Sequence, residues 1–326
     1  MTEAVLDIKG LSLQFDSRQG AVHALRDVTF TVPRGEIVGI VGESRSGKST
    51  LALAILGLLS SNAAITSGSI DFHRRNLLTL SEDELRSLRG TRIAMVFQDP
   101  MTSLNPVRSI GQHMADIQYR DQTLSSAQKR RKSAAALQRV GIPDADAQLE
   151  RYPFQFSGGM RQRIAIAMAL LPKPELLIAD EVTTALDVTL EAQILHLLRE
   201  LRNEIDGSIL FISHNLGAIA EICDRVIVLY AGEVVEQGLV ADIFAAPQHP
   251  YTRALIACDP ARIDVATRLL PVISGEVPNL TAPPRGCVFE TRCPVAIPKC
   301  SSARPPDVAQ RSSHVARCHL LGFATE

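Results

Sequence analysis

Residues 42–50 read Gly42-Glu43-Ser44-Arg45-Ser46-Gly47-Lys48-Ser49-Thr50, a match to the spacing G-x-x-x-x-G-K-[ST]. That spacing makes a loop whose backbone N–H groups and following helix N-terminus favour a phosphate anion. Lys48 would reach the β- and γ-phosphates of a nucleotide, and Ser49 would ligate Mg²⁺. Arg45 stands out, because small residues let the backbone wrap closely there. If its φ is positive, a side chain costs on the order of 1–2 kcal/mol. Further on, the apolar run Leu176-Leu177-Ile178-Ala179 ends in Asp180-Glu181. Behind a phosphate loop, Asp180 would help hold Mg²⁺ and Glu181 would deprotonate the attacking water. Phe156-Ser157-Gly158-Gly159-Met160-Arg161 places a serine and two glycines before a helical stretch. It reads as a second anion-binding helix start. One phosphate site in one subunit does not need both loops; a head-to-tail dimer would use both.

A third concentration of chemistry lies near the C-terminus. Cys287, Cys293, Cys300 and Cys318 are four of the six cysteines, with spacing C-x5-C-x6-C-x17-C. In a cytosolic chain such a cluster reads as a metal or cluster site before it reads as disulfides. Four thiolates are the usual complement of an iron–sulfur cluster. Zinc is the alternative, although C-x-x-C knuckles are absent, and free structural thiols are the third reading.

These residues need elements to position them. The run 36–41 reads as a buried parallel strand feeding the phosphate loop, with a helix over about 48–59 after it. Alternating stretches at 5–9, 11–15 and 28–32 read as strands. A helix over about 82–92, a strand over 92–97 and a mostly helical stretch from about 107 to 170 follow, with a polar loop near 143–146. Buried strands at 175–180 and 208–213 flank a helix over about 190–204. Residues 225–230 and 233–237 read as a hairpin through Ala231-Gly232. Eleven of the 18 prolines follow Ala241, which argues against long helices there and suggests a boundary near 250.

Composition limits the partners. The chain has 326 residues, 34 basic and 35 acidic, for a net charge of −1. This argues against a generally basic nucleic-acid binder. Hydrophobic residues make up 46%, enough for a sizeable core. No apolar run approaches the roughly 20 residues that span a bilayer, and the first seven residues carry no apolar signal region. The expectation is a cytosolic protein docked on a membrane it does not cross.

With Ser157-Gly158-Gly159 as a signature motif, the chain resembles the ATPases of the ABC transporter family. Other positions match in the family's order. Gln98 resembles the glutamine that senses Mg²⁺ and the nucleophilic water. Ala185-Leu186-Asp187 resembles the D-loop, His214 the switch histidine that contacts the γ-phosphate, and Phe15 the aromatic that stacks on adenine. The run Phe97-Gln98-Asp99-Pro100-Met101-Thr102-Ser103-Leu104-Asn105-Pro106 is similar to the dipeptide/oligopeptide/nickel importer branch. So are Ala185-Leu186-Asp187-Val188-Thr189 and His249-Pro250-Tyr251-Thr252-Arg253-Ala254-Leu255.

The resemblance implies an α/β fold: a phosphate-loop core with an antiparallel β subdomain, a helical subdomain over about 100–165 within a nucleotide-binding domain of 1–250, and a small Cys/Pro-rich extension over 251–326. It implies ATP and Mg²⁺ as cofactors, with Ser49, Gln98 and Asp180 near the metal and Glu181, His214 and Gln98 catalytic. Residues 42–50, Phe15 and Asp187 would face one nucleotide, and Ser157, Gly158 and Gly159 the nucleotide of the other subunit. The implied complex lies on the cytoplasmic face of a bacterial inner membrane. It contains a second ATPase subunit, identical or homologous, two permease subunits contacted through 98–106, and an external solute-binding protein. Several such extensions carry a [4Fe–4S] cluster, and Cys287, Cys293, Cys300 and Cys318 are its candidate ligands here. Peptides are the implied cargo; nickel or another small solute is the alternative.

The chain departs from the branch at Arg45, Phe156, Val182 and Asn215, where the family usually has Gly, Leu, Pro and Asp. A working, slowed ATPase is the reading, with a weakly active subunit beside a competent partner as its alternative. A repair or translation ATPase would usually carry two cassettes or a long coiled coil, and neither is seen. A regulatory subunit that only binds nucleotide is disfavoured by the retained Glu181 and His214.

Overall fold

Two 14-residue strands, Ala4–Ser17 and Gly20–Pro33, pair antiparallel at the start of the chain. Leu6, Ile8, Leu11 and Leu13 of the first are fully buried, because alternate side chains of a strand share one face, with bulges at Ile8/Leu11 and Leu11/Leu13 adjusting the register. The strand Ala63–Phe72 adds to the other edge of Ala4–Ser17, giving the antiparallel subdomain. This is a computed structural model, and it describes residues 3–99, 103–184, 187–205, 207–259, 271–311 and 313–321. Pro100, Met101, Thr102, Ala185 and Leu186, all expected motif residues, lie outside them.

The described chain forms two compact units, 1–80 with 211–326, and 81–210. In the first, the strand Ile37–Val41 is buried at every position, as an apolar run feeding a phosphate loop requires. It pairs in parallel with Arg225–Tyr230. Ala231-Gly232 then turns the chain into the antiparallel strand Glu233–Leu239, the expected hairpin. The strand His314–Arg317 pairs with Glu233–Leu239, and Asp307–Arg311 pairs with it in turn. Residues on both sides of position 250 therefore belong to this unit. Salt bridges anchor the tail: Arg304 and Arg317 both reach Glu233, whose side chain is 1% exposed. His314 Nε2 lies 2.7 Å from the buried Glu236 carboxylate.

In the second unit, Ile93–Val96 pairs in parallel with Leu176–Asp180. The helices Glu82–Leu88, Ile110–Ile117 and Ser126–Arg139 each start with a capping box, Ser81 with Glu84, Ser109 with Gln112 and Ser125 with Gln128. Each serine accepts from a backbone N–H three residues on while the Glu or Gln reaches back, so two orphan donors are satisfied at once. The pattern S-x-x-[EQ] announces these helices in the sequence. The polar stretch expected as a loop near 143–146 instead starts a one-turn helix, Ala145–Gln148. Among the described residues, no helix is long and apolar enough to cross a membrane.

Candidate nucleotide-binding and signature loops

The phosphate loop is built around its two outer glycines. A Cβ on Gly42, at φ 156°, would lie 2.0 Å from the Leu229 carbonyl oxygen. A Cβ on Gly47, at φ 104°, would lie 2.8 Å from the Ala24 carbonyl oxygen. No side chain fits at either place without moving backbone. Gly47 leads directly into the helix Lys48–Ile55, which ends short of the expected Leu59 because Gly57 turns the chain at φ 62°. Lys48 is buried, and its Nζ donates to the Gly42 and Glu43 carbonyls at 2.8 and 3.0 Å. The ammonium is thus held across the mouth of the loop, where a phosphate would exchange with those carbonyls. Ser46 is 2% exposed, and among the described residues its Oγ has no hydrogen-bond partner.

Arg45 is exposed, with φ at 68°, so the condition for backbone strain is met. Ser44 and Ser49 are also exposed, and Thr50 is half-buried. Phe15 is half-buried on the first strand, opposite Val22. The strand carrying Val22 also carries Ala24 and Leu25, which abut Gly47, so the adenine-stacking candidate shares a hairpin with the loop's neighbours. His214 is exposed just after the strand Ser208–Ile212. Asn215 caps the next helix, accepting from the Ala218 amide at 3.3 Å, as an aspartate would.

In the second unit, Asp180 ends its strand 4% exposed. Glu181 follows at φ 50°, a left-handed conformation that costs a non-glycine residue on the order of 1–2 kcal/mol. Such strain concentrates at functional sites. Gln98 Nε2 donates to Glu181 Oε2 at 2.8 Å, and Thr184 Oγ1 reaches the same oxygen at 3.4 Å. Two residues read separately from the sequence, 83 positions apart, are therefore brought together. Val182, at the family's proline position, is 2% exposed. Asp187 Oδ1 accepts from the Leu190 amide at 2.9 Å, capping the helix Val188–Ile205.

Ser157 caps the helix Gly158–Leu170, accepting from the Met160 amide at 3.3 Å. The third helical position is Met160, whose thioether cannot complete a capping box. A Cβ on Gly159 would lie 2.9 Å from Leu190 Cδ1, whereas one on Gly158 would meet nothing within 4 Å. Phe156 is buried, and the Arg151 guanidinium lies 5.2 Å from its ring centroid.

The ABC transporter family pattern matches residues 25–184, and the pattern of the oligopeptide/dipeptide transporter C-terminal region matches residues 235–300. The chain is 45% identical over 319 residues to the dipeptide transport ATP-binding protein DppD of Bacillus subtilis (strain 168), covering 98% of this chain and 95% of that one. It is 46% identical over 303 residues to the oligopeptide transport ATP-binding protein OppD of Escherichia coli (strain K12), covering 93% and 89%. The chain belongs to the ABC transporter family, as an ATP-binding subunit. Among solved structures it resembles the dimeric MJ0796, a bacterial ABC transporter cassette, with TM-score 0.65 and 28% identity over 72% of this chain and 98% of that one.

In this ABC ATPase, Cys287, Cys293, Cys300 and Cys318 line one small cavity together with His249 and His319. Burial pushes the Cys287 thiol up to about 12 and raises Cys293 and Cys318 as well, with the neighbouring cysteines adding to it. Thiolates would need a cationic centre to be stable there. Yet among the described residues no group of three or more His, Cys, Asp or Glu side chains is close enough to hold a metal ion. The thiols line one space but, as placed, do not form a ready metal site. The structure of the ABC ATPase also places beside the phosphate loop residues without a chemical signature in the sequence. Arg292 and Tyr230 carried no local signal, and Tyr251 appeared only as part of a family-like run. All three sit behind the phosphate loop.

Proposed function

We propose that this ATPase subunit powers the import of di- and oligopeptides through an ABC transporter at the cytoplasmic face of a bacterial inner membrane. The observation that carries the reading is 45% identity to DppD across 98% of the chain. The match of residues 235–300 to the oligopeptide/dipeptide transporter C-terminal region adds to it. In this reading Lys48 and the loop amides bind the β- and γ-phosphates, Ser49 and Asp180 hold Mg²⁺, and Phe15 stacks on adenine. Glu181, oriented by Gln98, accepts the proton of the attacking water, and His214 contacts the γ-phosphate. Ser157, Gly158 and Gly159 act on ATP held by a second, homologous or identical subunit. The open space at Gly158 supports this, because among the described residues nothing there requires a glycine for packing. Residues 98–106 contact the two permeases, which an external binding protein supplies.

The test is Glu181→Gln in the assembled transporter. It keeps size and hydrogen bonding and removes the base, so ATP binding should persist while turnover falls by roughly 10²–10⁴. Turnover at the parent rate would reject Glu181 as the base.

We also propose that Cys287, Cys293, Cys300 and Cys318 ligate a [4Fe–4S] cluster. Their convergence on one cavity supports this. The cluster would staple a proline-rich segment that is short of regular structure. Protein purified without oxygen should be brown and carry about four irons per chain. Serine at any of the four should remove the colour, while Cys223→Ser and Cys258→Ser should not. Colourless, iron-free parent protein would overturn the proposal.

A further inference from the structure

Glu43, the second residue of the phosphate loop, has its backbone N–H and its carboxylate taken by the C-terminal part of the chain. Its backbone N–H donates to the Tyr251 hydroxyl at 2.9 Å. Its carboxylate is forked by Arg292, with Nη1 to Oε2 at 2.7 Å and Nη2 to Oε1 at 3.1 Å. This contact spans 249 positions of sequence. The Arg292 side chain is 4% exposed and that of Glu43 is 25% exposed. Arg292 is itself fixed by donation to the Tyr230 hydroxyl at 3.1 Å and to the Ser274 and Ile273 carbonyls at 3.0 and 2.8 Å. A planar guanidinium with every face engaged holds its carboxylate partner in one geometry.

The surroundings are closely packed. Tyr230, Tyr251 and Phe289 are fully buried, with ring centroids 4.5, 5.2 and 5.4 Å apart. Tyr230 follows Leu229, whose carbonyl oxygen is the atom that excludes a side chain at Gly42. Phe289 and Arg292 both lie between Cys287 and Cys293 in the chain, and Phe289 lines the cysteine cavity. The cavity and the loop are thus joined by one short, packed segment.

We propose that Arg292 is a positioning residue for the ATP reaction. With Tyr251, it holds Glu43 so that the phosphate loop keeps its nucleotide-binding form, and the state of the four-cysteine cavity is transmitted to the loop through it. Glu43 then serves the loop from behind, with its own amide turned away from the phosphates. The inference rests on the reading of residues 42–50 as the ATP site. It does not depend on which group the cysteines hold.

The experiment measures MgATP and MgADP affinity of the full chain, and KM and kcat of the assembled transporter. The variants are Arg292→Gln, Arg292→Lys, Glu43→Gln and Tyr251→Phe. Arg292→Gln should weaken MgATP binding about tenfold and raise KM, with kcat changed less than twofold. Arg292→Lys keeps the charge but not the fork, so it should recover only part of the loss. Glu43→Gln combined with Arg292→Gln should be no worse than either alone. Cys287→Ser should shift affinity in the parent and not in the Arg292→Gln background. If Arg292→Gln does not fold, Tyr251→Phe, which removes one hydroxyl, and Glu43→Gln decide the matter. Folded variants binding MgATP within twofold of the parent would overturn the proposal. So would additive losses in the double variant, or a Cys287→Ser effect that is equal in both backgrounds. A parent chain that binds no MgATP would instead defeat the reading of the ATP site itself.

Discussion

The phosphate loop and the signature loop have the same ingredients, glycines and serines at the start of a helix, and the two are built in opposite ways. At Gly42 and Gly47 the chain's own backbone crowds the space that a side chain would need. The loop is closed from behind by Leu229, Ala24, Tyr251 and Arg292. At Ser157-Gly158 no such crowding exists. Gly158 faces open space, and the helix lacks the reciprocal cap that three other helices of its unit possess. The contrast is one of completeness. The first loop is shaped by its own subunit's backbone, whereas the second leaves room at its helix start, which in the proposed reading an anion held by another subunit would fill.

The sharpest way to break this comparison is a pair of alanines. Gly42→Ala forces backbone movement, with a cost of at least 1–3 kcal/mol. MgATP affinity of the single subunit should therefore fall roughly ten- to a hundredfold or more. Gly158→Ala meets nothing, so single-subunit affinity should stay within twofold of the parent. Turnover in the assembled transporter should fall about tenfold, because the methyl group displaces a phosphate approaching from outside. Equal effects of both variants on single-subunit binding would abolish the distinction.

Acid should separate the regions further. His249 is fully buried and its titration is pulled down to about 3 by desolvation, with Arg253 adding to it. Its Nδ1 accepts from the Tyr251 amide at 3.0 Å, at the start of the helix Pro250–Ala257 that brings Tyr251 to Glu43. As pH falls below about 6.5, the unfolded chain gains a proton that the folded one refuses. Stability should then drop by at most about 1.4 kcal/mol per pH unit until about pH 3. Melting temperature followed from pH 7 to 4 should show a flatter slope for His249→Gln. An identical slope would remove His249 as the source.

The smallest expected effect concerns Arg45. Its positive φ should make Arg45→Gly tighten MgATP binding, by about 1–2 kcal/mol if strain acts alone. The lost cation opposes this, and since Arg45 is exposed, salt should screen only that part. Titrations at low and high salt separate the two. Weaker binding by the glycine variant, most marked at low salt, would show that Arg45 serves the nucleotide more than it strains the loop.

What the sequence determined by itself was everything carried by contiguous residues. The loop of 42–50, the strand ending at Asp180-Glu181 and the Ser157 helix start each depend on backbone geometry that a few neighbouring residue types dictate, so spacing suffices to read them. Ser81, Ser109 and Ser125 were legible in the same way, through a glutamate or glutamine three positions on. Only the tertiary structure decided which distant groups meet. It paired Gln98 with Glu181 and closed Arg292 onto Glu43. It also joined His314–Arg317 to the hairpin strand, so that the segment after 250 belongs to the body that holds the phosphate loop. No periodicity encodes such contacts. They follow from how strands are ordered and how long loops close, and an arginine that forks a carboxylate 249 positions away looks locally like any other surface arginine.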